Sequence, residues 1–262
     1  KEQFPSWSRI VQARPTNESE INLYVAFLQQ KMIKPTDVKI WKQPESFLNI
    51  DITYGEGYIK LSQPGFIEKL LQIAEMQDAN PRMSIPEMEF AIETEMSEAE
   101  EQYMKRIKYR QVIGSLLWLS ITTRPTISKF VSVASQYLIR PRKQHWKHVQ
   151  SILRHLKATR NAGLVYRASN DNQLTCFTDA DWAGDKVNRK STSGVMLQLS
   201  GAAILWRSEL QSITARSVFE SELIALYVGT ADIIWLSDLY EFYTGNALNI
   251  PTYIDNQDVV TR

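Results

Sequence analysis

The sequence predicts an α/β protein: a small α+β unit first, a helical middle, and a compact mixed-sheet unit at the C-terminal end. Three observations carry that prediction. Apolar residues recur at i, i+3 and i+4 through the middle of the chain. Short β-rich runs bounded by turn residues gather after residue 168. With 262 residues, 44% of them apolar and 10% aromatic, the chain can bury a real core and is not disordered, collagenous or of low complexity.

Taken in order, Ile21, Tyr24, Val25, Leu28 and Met32 predict a helix over 18–32. A strand is expected over 47–54, a turn at Gly55-Glu56-Gly57 and a returning strand over 58–61. Pro64 opens a helix carrying Phe66, Leu70 and Leu71, because a proline at the first helical position loses no hydrogen bond. Residues 78–98, broken by Pro81 and Pro86, read as an acidic connector. Helices are expected over 99–121, 126–138 and 144–157, with Pro125 and Pro141 at helix starts. Strands at 174–179, 193–199 and 203–206, helices at 217–229 and 233–243, and a strand at 251–254 complete the pattern.

The net charge of +1 hides a segregation. Residues 1–101 hold 10 basic and 17 acidic side chains, residues 102–170 hold 14 basic and no acidic ones, and residues 171–262 hold 6 and 12. A concentrated positive field suits a phosphate backbone, whose condensed counterions are released on binding. The opposing reading is internal neutralisation, for which the acidic run 87–101 is available. Arg140, Arg142, Lys143, Lys147, Arg154, Lys157 and Arg160 are the expected nucleic-acid contacts, joined by Arg189 and Lys190 on a turn between later strands. No apolar run is long enough to predict a membrane span, and the first residues have no signal-peptide profile, so an intracellular protein is expected. The single cysteine, Cys176, excludes an internal disulfide and reads as a small core side chain. His145 and His148 read as helix-surface residues beside phosphate; Trp182 and Trp206 read mostly as core, with base stacking as the alternative.

Two strand ends carry carboxylates, Asp179 and Asp255, and the helix between them carries Glu220 and Glu222. Burying a carboxylate is expensive unless it is paired or bound to a cation. Two strand-end aspartates and a helical glutamate could converge on Mg²⁺, a cation that favours carboxylate, water and phosphate oxygens. Aspartates at strand ends are equally common in turns, so spacing alone leaves both readings open. Helical periodicity does not choose between Glu220 and Glu222 either.

The run Phe177-Thr178-Asp179-Ala180-Asp181-Trp182-Ala183-Gly184-Asp185, with Arg189-Lys190-Ser191-Thr192-Ser193-Gly194, Phe219-Glu220-Ser221-Glu222-Leu223-Ile224-Ala225-Leu226 and Ile254-Asp255-Asn256-Gln257, resembles the ribonuclease H domain of copia-type retrotransposon Pol polyproteins. Tyr109-Arg110-Gln111-Val112-Ile113-Gly114, Thr123-Arg124-Pro125 and Leu153-Arg154-His155-Leu156-Lys157 resemble the segment joining polymerase to ribonuclease H in that family. The resemblance implies a reverse-transcriptase palm/thumb remnant over 1–98, a basic helical connection over 99–168 and a ribonuclease H-like mixed-sheet domain over 169–262. It also implies two Mg²⁺ ions on Asp179, Glu222 and Asp255 as catalytic ligands, and an RNA–DNA hybrid as substrate.

Two departures from the family pattern bear on function. No aspartate stands between Lys1 and Asp37, where the polymerase's paired aspartates are expected, so DNA synthesis by this chain is not expected. The family continues beyond the third carboxylate to a further strand, helix and acidic ligand, so a protein partner completing the domain is one expectation. The alternative to a nuclease is a domesticated, inactive scaffold that binds nucleic acid or protein.

Overall fold

The computed structural model describes residues 43–256, apart from 89, 91–94, 169–172, 186, 187 and 246, together with residue 259. The helix expected over 18–32 and the span lacking aspartate lie outside the described residues. The chain is a mixed α/β fold with two four-stranded sheets.

The first sheet contains β1 (Ser46–Phe47), β2 (Ile50–Gly55), β3 (Tyr58–Ser62) and β4 (Gly163–Arg167), antiparallel in that order. The strand expected over 47–54 is therefore two strands. Leu48 and Asn49 adopt left-handed φ of 51° and 62°, the backbone of a tight two-residue hairpin turn, and divide it. Gly57, at φ 69°, makes the next turn where expected. The sequence did not reveal β4, whose partner β3 lies about a hundred residues earlier in the chain.

Five helices follow β3: α1 (Pro64–Ile73), α2 (Glu98–Arg106), α3 (Tyr109–Thr122), α4 (Ser128–Ser135) and α5 (Lys143–Ala158). The helix expected over 99–121 breaks where Ile107 turns extended, at φ −84° and ψ 127°. α2 is capped by Ser97, whose Oγ accepts the Glu100 N–H at 3.3 Å. Its acids fill the first turn and Lys105 and Arg106 the last, which matches the helix dipole. The stretch expected as one helix over 126–138 is a short 3₁₀ turn, Pro125–Ile127, leading into α4. Pro141 stands outside α5, since Arg142 is the capping residue. Ile67, Leu70, Ile113, Leu116, Ile152 and Leu153 are fully buried in one core that α1 shares with α3 and α5. That core and the β3–β4 pairing both cross the boundary expected between residues 98 and 99.

The second sheet has the order β7-β6-β5-β8, from β5 (Leu174–Asp181), β6 (Thr192–Leu199), β7 (Ala202–Leu210) and β8 (Thr252–Ile254). β5–β6–β7 form an antiparallel meander; α6 (Val218–Thr244) then crosses over and returns the chain as β8, parallel to β5. Two helices were expected where α6 is one of 27 residues. Asp232, at the expected break, is buried inside the continuous helix and paired with Arg207 on β7 at 2.5 Å. Gly229 permits its close packing, because a Cβ there would stand 2.6 Å from the Thr178 methyl on β5. Within α6, Val218–Phe242 is long and apolar enough to cross a membrane by length and composition alone. Here one face lies on the sheet, where Ala225 is fully buried, while Tyr227, Ile234 and Trp235 face outward.

Among the described residues, these side-chain ties join the two units. Tyr166 Oη donates to the Ala203 carbonyl at 2.8 Å, and Trp206 Nε1 donates to the Ser120 carbonyl at 2.5 Å. Lys129 on α4 pairs with Asp181 at the end of β5 at 3.1 Å.

Candidate metal centre

β5 alternates strictly: Cys176, Thr178 and Ala180 are buried under α6, while Phe177, Asp179 and Asp181 face the open side. The parallel register aligns Thr178 with Ile254, so Asp179 and Asp255 are the next residues on neighbouring strands. Glu222, near the start of α6, completes the group. One oxygen from each of Asp179, Glu222 and Asp255 lies within 4.8 Å of the others. Glu220 points elsewhere: its Oε2 accepts the Arg216 N–H at 2.7 Å, while Ser217 Oγ accepts the Glu220 N–H at 3.1 Å. These two hydrogen bonds occupy Glu220 at the start of α6 and leave Glu222 for the cluster.

Glu222 is only 3% exposed, and its Oε2 has no hydrogen-bond partner. Burial, then the charges of Asp179 and Asp255, push its pKa up to about 7, opposed by a hydrogen bond from the Ala180 N–H. An orphaned buried carboxylate oxygen facing two further carboxylates fits a hard divalent cation, which would supply the missing counter-charge and oxygen coordination. Asp181 and Asp185 lie outside this group: Asp181 is bound to Lys129, and Asp185 receives the Asn188 amide in a turn.

Most of the basic residues nominated from sequence have partners within the chain. Arg142 forms an ion pair with Glu100 at 2.9 Å, both largely buried, and Lys143 lies over the Tyr103 ring. Arg154 Nε donates to the Asn80 carbonyl, and Lys157 Nζ to the carbonyls of Gln77 and Ala79. Arg160 pairs with Glu68 at 3.0 Å, and Lys190 Nζ donates to the Ser212 carbonyl at 2.8 Å. Arg140, Lys147 and Arg189 are exposed. Residues 77–83 thus lie against the C-terminal half of α5, and Phe90 and Glu100 against its start. Backbone carbonyls, absent from any charge count, satisfy much of the positive face.

The histidines also depart from the sequence reading. His145 and His148 are buried rather than on the helix surface. His145 stacks on Tyr137 at 3.7 Å between ring centroids, and its Nδ1 accepts the Arg142 N–H. Burial first, then Arg142 and His148, pull its pKa down to about 4. His148 bonds the Phe130 carbonyl. Trp182 and Trp206 use their ring N–H groups on backbone carbonyls. The sequence reading passed over Lys129, which stands 3.0 Å from Glu87 and 3.1 Å from Asp181. It lines a groove of about 350 Å³ that also contains Asp179.

No family model matches the chain. Similarity to individual proteins is extensive. The chain is 32% identical over 241 residues, 90% of its length, to a retrovirus-related Pol polyprotein from transposon TNT 1-94 of Nicotiana tabacum. It is 31% identical over 191 residues to an uncharacterized mitochondrial protein of Arabidopsis thaliana, covering 78% of that protein. The chain belongs to the retrovirus-related Pol family of copia-type transposons. It spans 18% of the tobacco polyprotein's length. A secreted RxLR effector protein of Plasmopara viticola is 37% identical over 134 residues, 94% of that protein.

Against this Pol relationship, one motif read from sequence gains a physical role. In Thr123-Arg124-Pro125, Arg124 is buried and its guanidinium donates to the carbonyl and hydroxyl of Thr159, bracing the end of α5. Thr122 and Thr123 both donate to the buried Gln63 Oε1 at 2.7 Å, tying α3 to the start of α1.

Proposed function

We propose that this Pol-family chain is a ribonuclease H-type nuclease that hydrolyses the RNA strand of an RNA–DNA hybrid, with Mg²⁺ held by Asp179, Glu222 and Asp255. The observation that carries the reading is the convergence of these three carboxylates from two adjacent strands and a crossing helix. The meander β5–β6–β7 followed by α6 and β8 supports a ribonuclease H-like domain over 169–262. Residues 1–98 and 99–168 are its palm/thumb and connection remnants, and the protein acts inside the cell.

In this reading the protein's own residues fix the site before substrate arrives. The Ala180 N–H orients Glu222, whose buried second oxygen is left for a ligand. Asp179 and Asp255 leave their strands side by side and exposed, where a phosphodiester can approach from solvent. Bound at this cluster, Mg²⁺ would lower the pKa of the attacking water and neutralise the charge developing on the phosphate. Arg140, Lys147 and Arg189, exposed on the surface, are the remaining phosphate contacts; the other nominated cations would first have to release their internal partners.

The test is a labelled RNA–DNA hybrid incubated with Mg²⁺ and wild-type protein, in parallel with Asp179→Asn. Cleavage by the wild type alone is expected. No cleavage by wild type defeats the enzyme reading, and cleavage that survives Asp179→Asn defeats the site assignment. A second reading, an inactive scaffold that binds nucleic acid or protein, has one observation in its favour. A relative matched over 94% of its own length is named an effector, not a polyprotein.

A further inference from the structure

The cation beside the carboxylate cluster comes from the helical unit. Lys129 Nζ is held between Glu87 Oε1 at 3.0 Å and Asp181 Oδ2 at 3.1 Å. Asp181 lies two residues beyond Asp179 on the same open face of β5, about 7 Å along the strand. Lys129 and Asp179 line one groove, whose opposite walls are the 125–129 turn and the β5–β6–β7 face. Thr126 and Ser128 bring hydroxyl groups to it, and Gly194 leaves its floor low.

We propose that Lys129 is a positioning residue for the substrate: it holds a backbone phosphate of a nucleic-acid strand lying in this groove, in the place that the Glu87 carboxylate takes in the free protein. The proposal rests on the nuclease reading and names a substrate contact for the same site. Its physical basis is the contrast among the ion pairs. Arg142–Glu100 is largely buried, at 13% and 19% side-chain exposure, and cannot be exchanged cheaply. The Glu87 side chain is 80% exposed, so its hold on Lys129 is the weak, solvent-screened kind that a phosphate displaces. Asp181 stays behind as the second partner and keeps the ammonium aimed along the face that carries Asp179. Glu87 lies in a pocket that shares Lys129 and Asp181 with the Asp179 groove, so its exposed carboxylate stands where an anionic ligand reaching along that groove would stand.

The alternative is that Lys129 merely ties the connector, α4 and β5 together, and the two ends of one ion pair separate these cases. Glu87→Gln and Lys129→Gln each abolish the Lys129–Glu87 pair, so a purely structural role gives both the same sign. Binding of the full chain to a fluorescein-labelled RNA–DNA hybrid is read by anisotropy without divalent cations, so that the hybrid is not consumed. Lys129→Gln should weaken binding several-fold and lower the slope of log K against log salt by about one. Glu87→Gln should tighten binding several-fold. Shifts of the same sign, or no shift in either variant, overturn the proposal, and thermal melts of both variants confirm that they fold. If wild type cleaves the hybrid while both substitutions leave binding unchanged, only the Lys129 assignment fails. If wild type neither binds nor cleaves, the nuclease reading itself fails.

Discussion

The helical unit and the second sheet are built to opposite specifications. Around α3 and α5 the interior is closed: Val112, Leu116, Ile152 and Leu156 are fully buried, burial pulls the His145 pKa down to about 4, and connector carbonyls accept from Lys157 on α5. In the second sheet the fully apolar centre is small, built around Cys176, Val195 and Leu197, while three carboxylates crowd one end and α6 turns Tyr227, Ile234 and Trp235 to solvent. The helical unit buries the Arg142–Glu100 pair; the sheet keeps three carboxylates together at one end. Strain of that kind persists where a ligand relieves it. Under the proposed function, the contrast sets the reacting site in the sheet and the closed core in the helices.

The largest expected single cost is in packing. Leu153→Ala in the helical core should cost about 4 kcal/mol, while Leu197→Ala in the sheet should cost about 2 kcal/mol, because its half-buried neighbours can collapse into the space. Urea unfolding measures both, and equal costs would remove the distinction between the two cores.

Opposite responses to pH are next. His145, pulled down to about 4, stays neutral in the folded protein while the unfolded chain takes up a proton below about 6.5. Its stabilising contribution is complete above pH 6.5 and is lost towards pH 4, by about 3 kcal/mol. Glu222 has the reverse sign. Its pKa of about 7 means that the folded protein keeps a proton that the unfolded chain has already released. Metal-free protein therefore loses stability as pH rises from about 4.5 through 7, again by about 3 kcal/mol. Glu222→Gln should raise metal-free stability at pH 8 and change it little at pH 5. A gain of equal size at both values would mean repacking rather than charge.

Smallest is the effect of loosening the join between the units. Trp206→Phe removes the donor to the Ser120 carbonyl and should cost about 1 kcal/mol. In calorimetry the thermal transition should broaden as the units uncouple. An unchanged transition would show that Tyr166 and Lys129 suffice to hold them together.

How legible all this was in sequence varied with the range of the interaction involved. Local signals worked for α1, where Pro64 opens the helix, and for α5 and β5, whose periodicities are strong. They failed where distant residues decided the outcome. α6 stays unbroken because Asp232 meets Arg207 on another strand, and β4 exists because β3 needs an edge partner. The carboxylates at 179, 222 and 255 were visible as residue types, but their meeting depended on the parallel register of β5 with β8. In the basic block, charge counting cannot see backbone carbonyls, and Arg154 and Lys157 direct donors to the connector's main chain. Lys129 went unnoticed for the matching reason, being one lysine without a motif until the fold brought Glu87 and Asp181 to it.

The central claim, that Asp179, Glu222 and Asp255 form a metal centre, is tested most directly by calorimetric titration of Mg²⁺ into metal-free protein at pH 7. Wild type should bind the ion with release of about half a proton, because a pKa of about 7 leaves Glu222 roughly half protonated there, and Glu222→Gln should bind at least about tenfold more weakly with no proton released from this position. Equal affinity and equal proton release in the two proteins would contradict the claim.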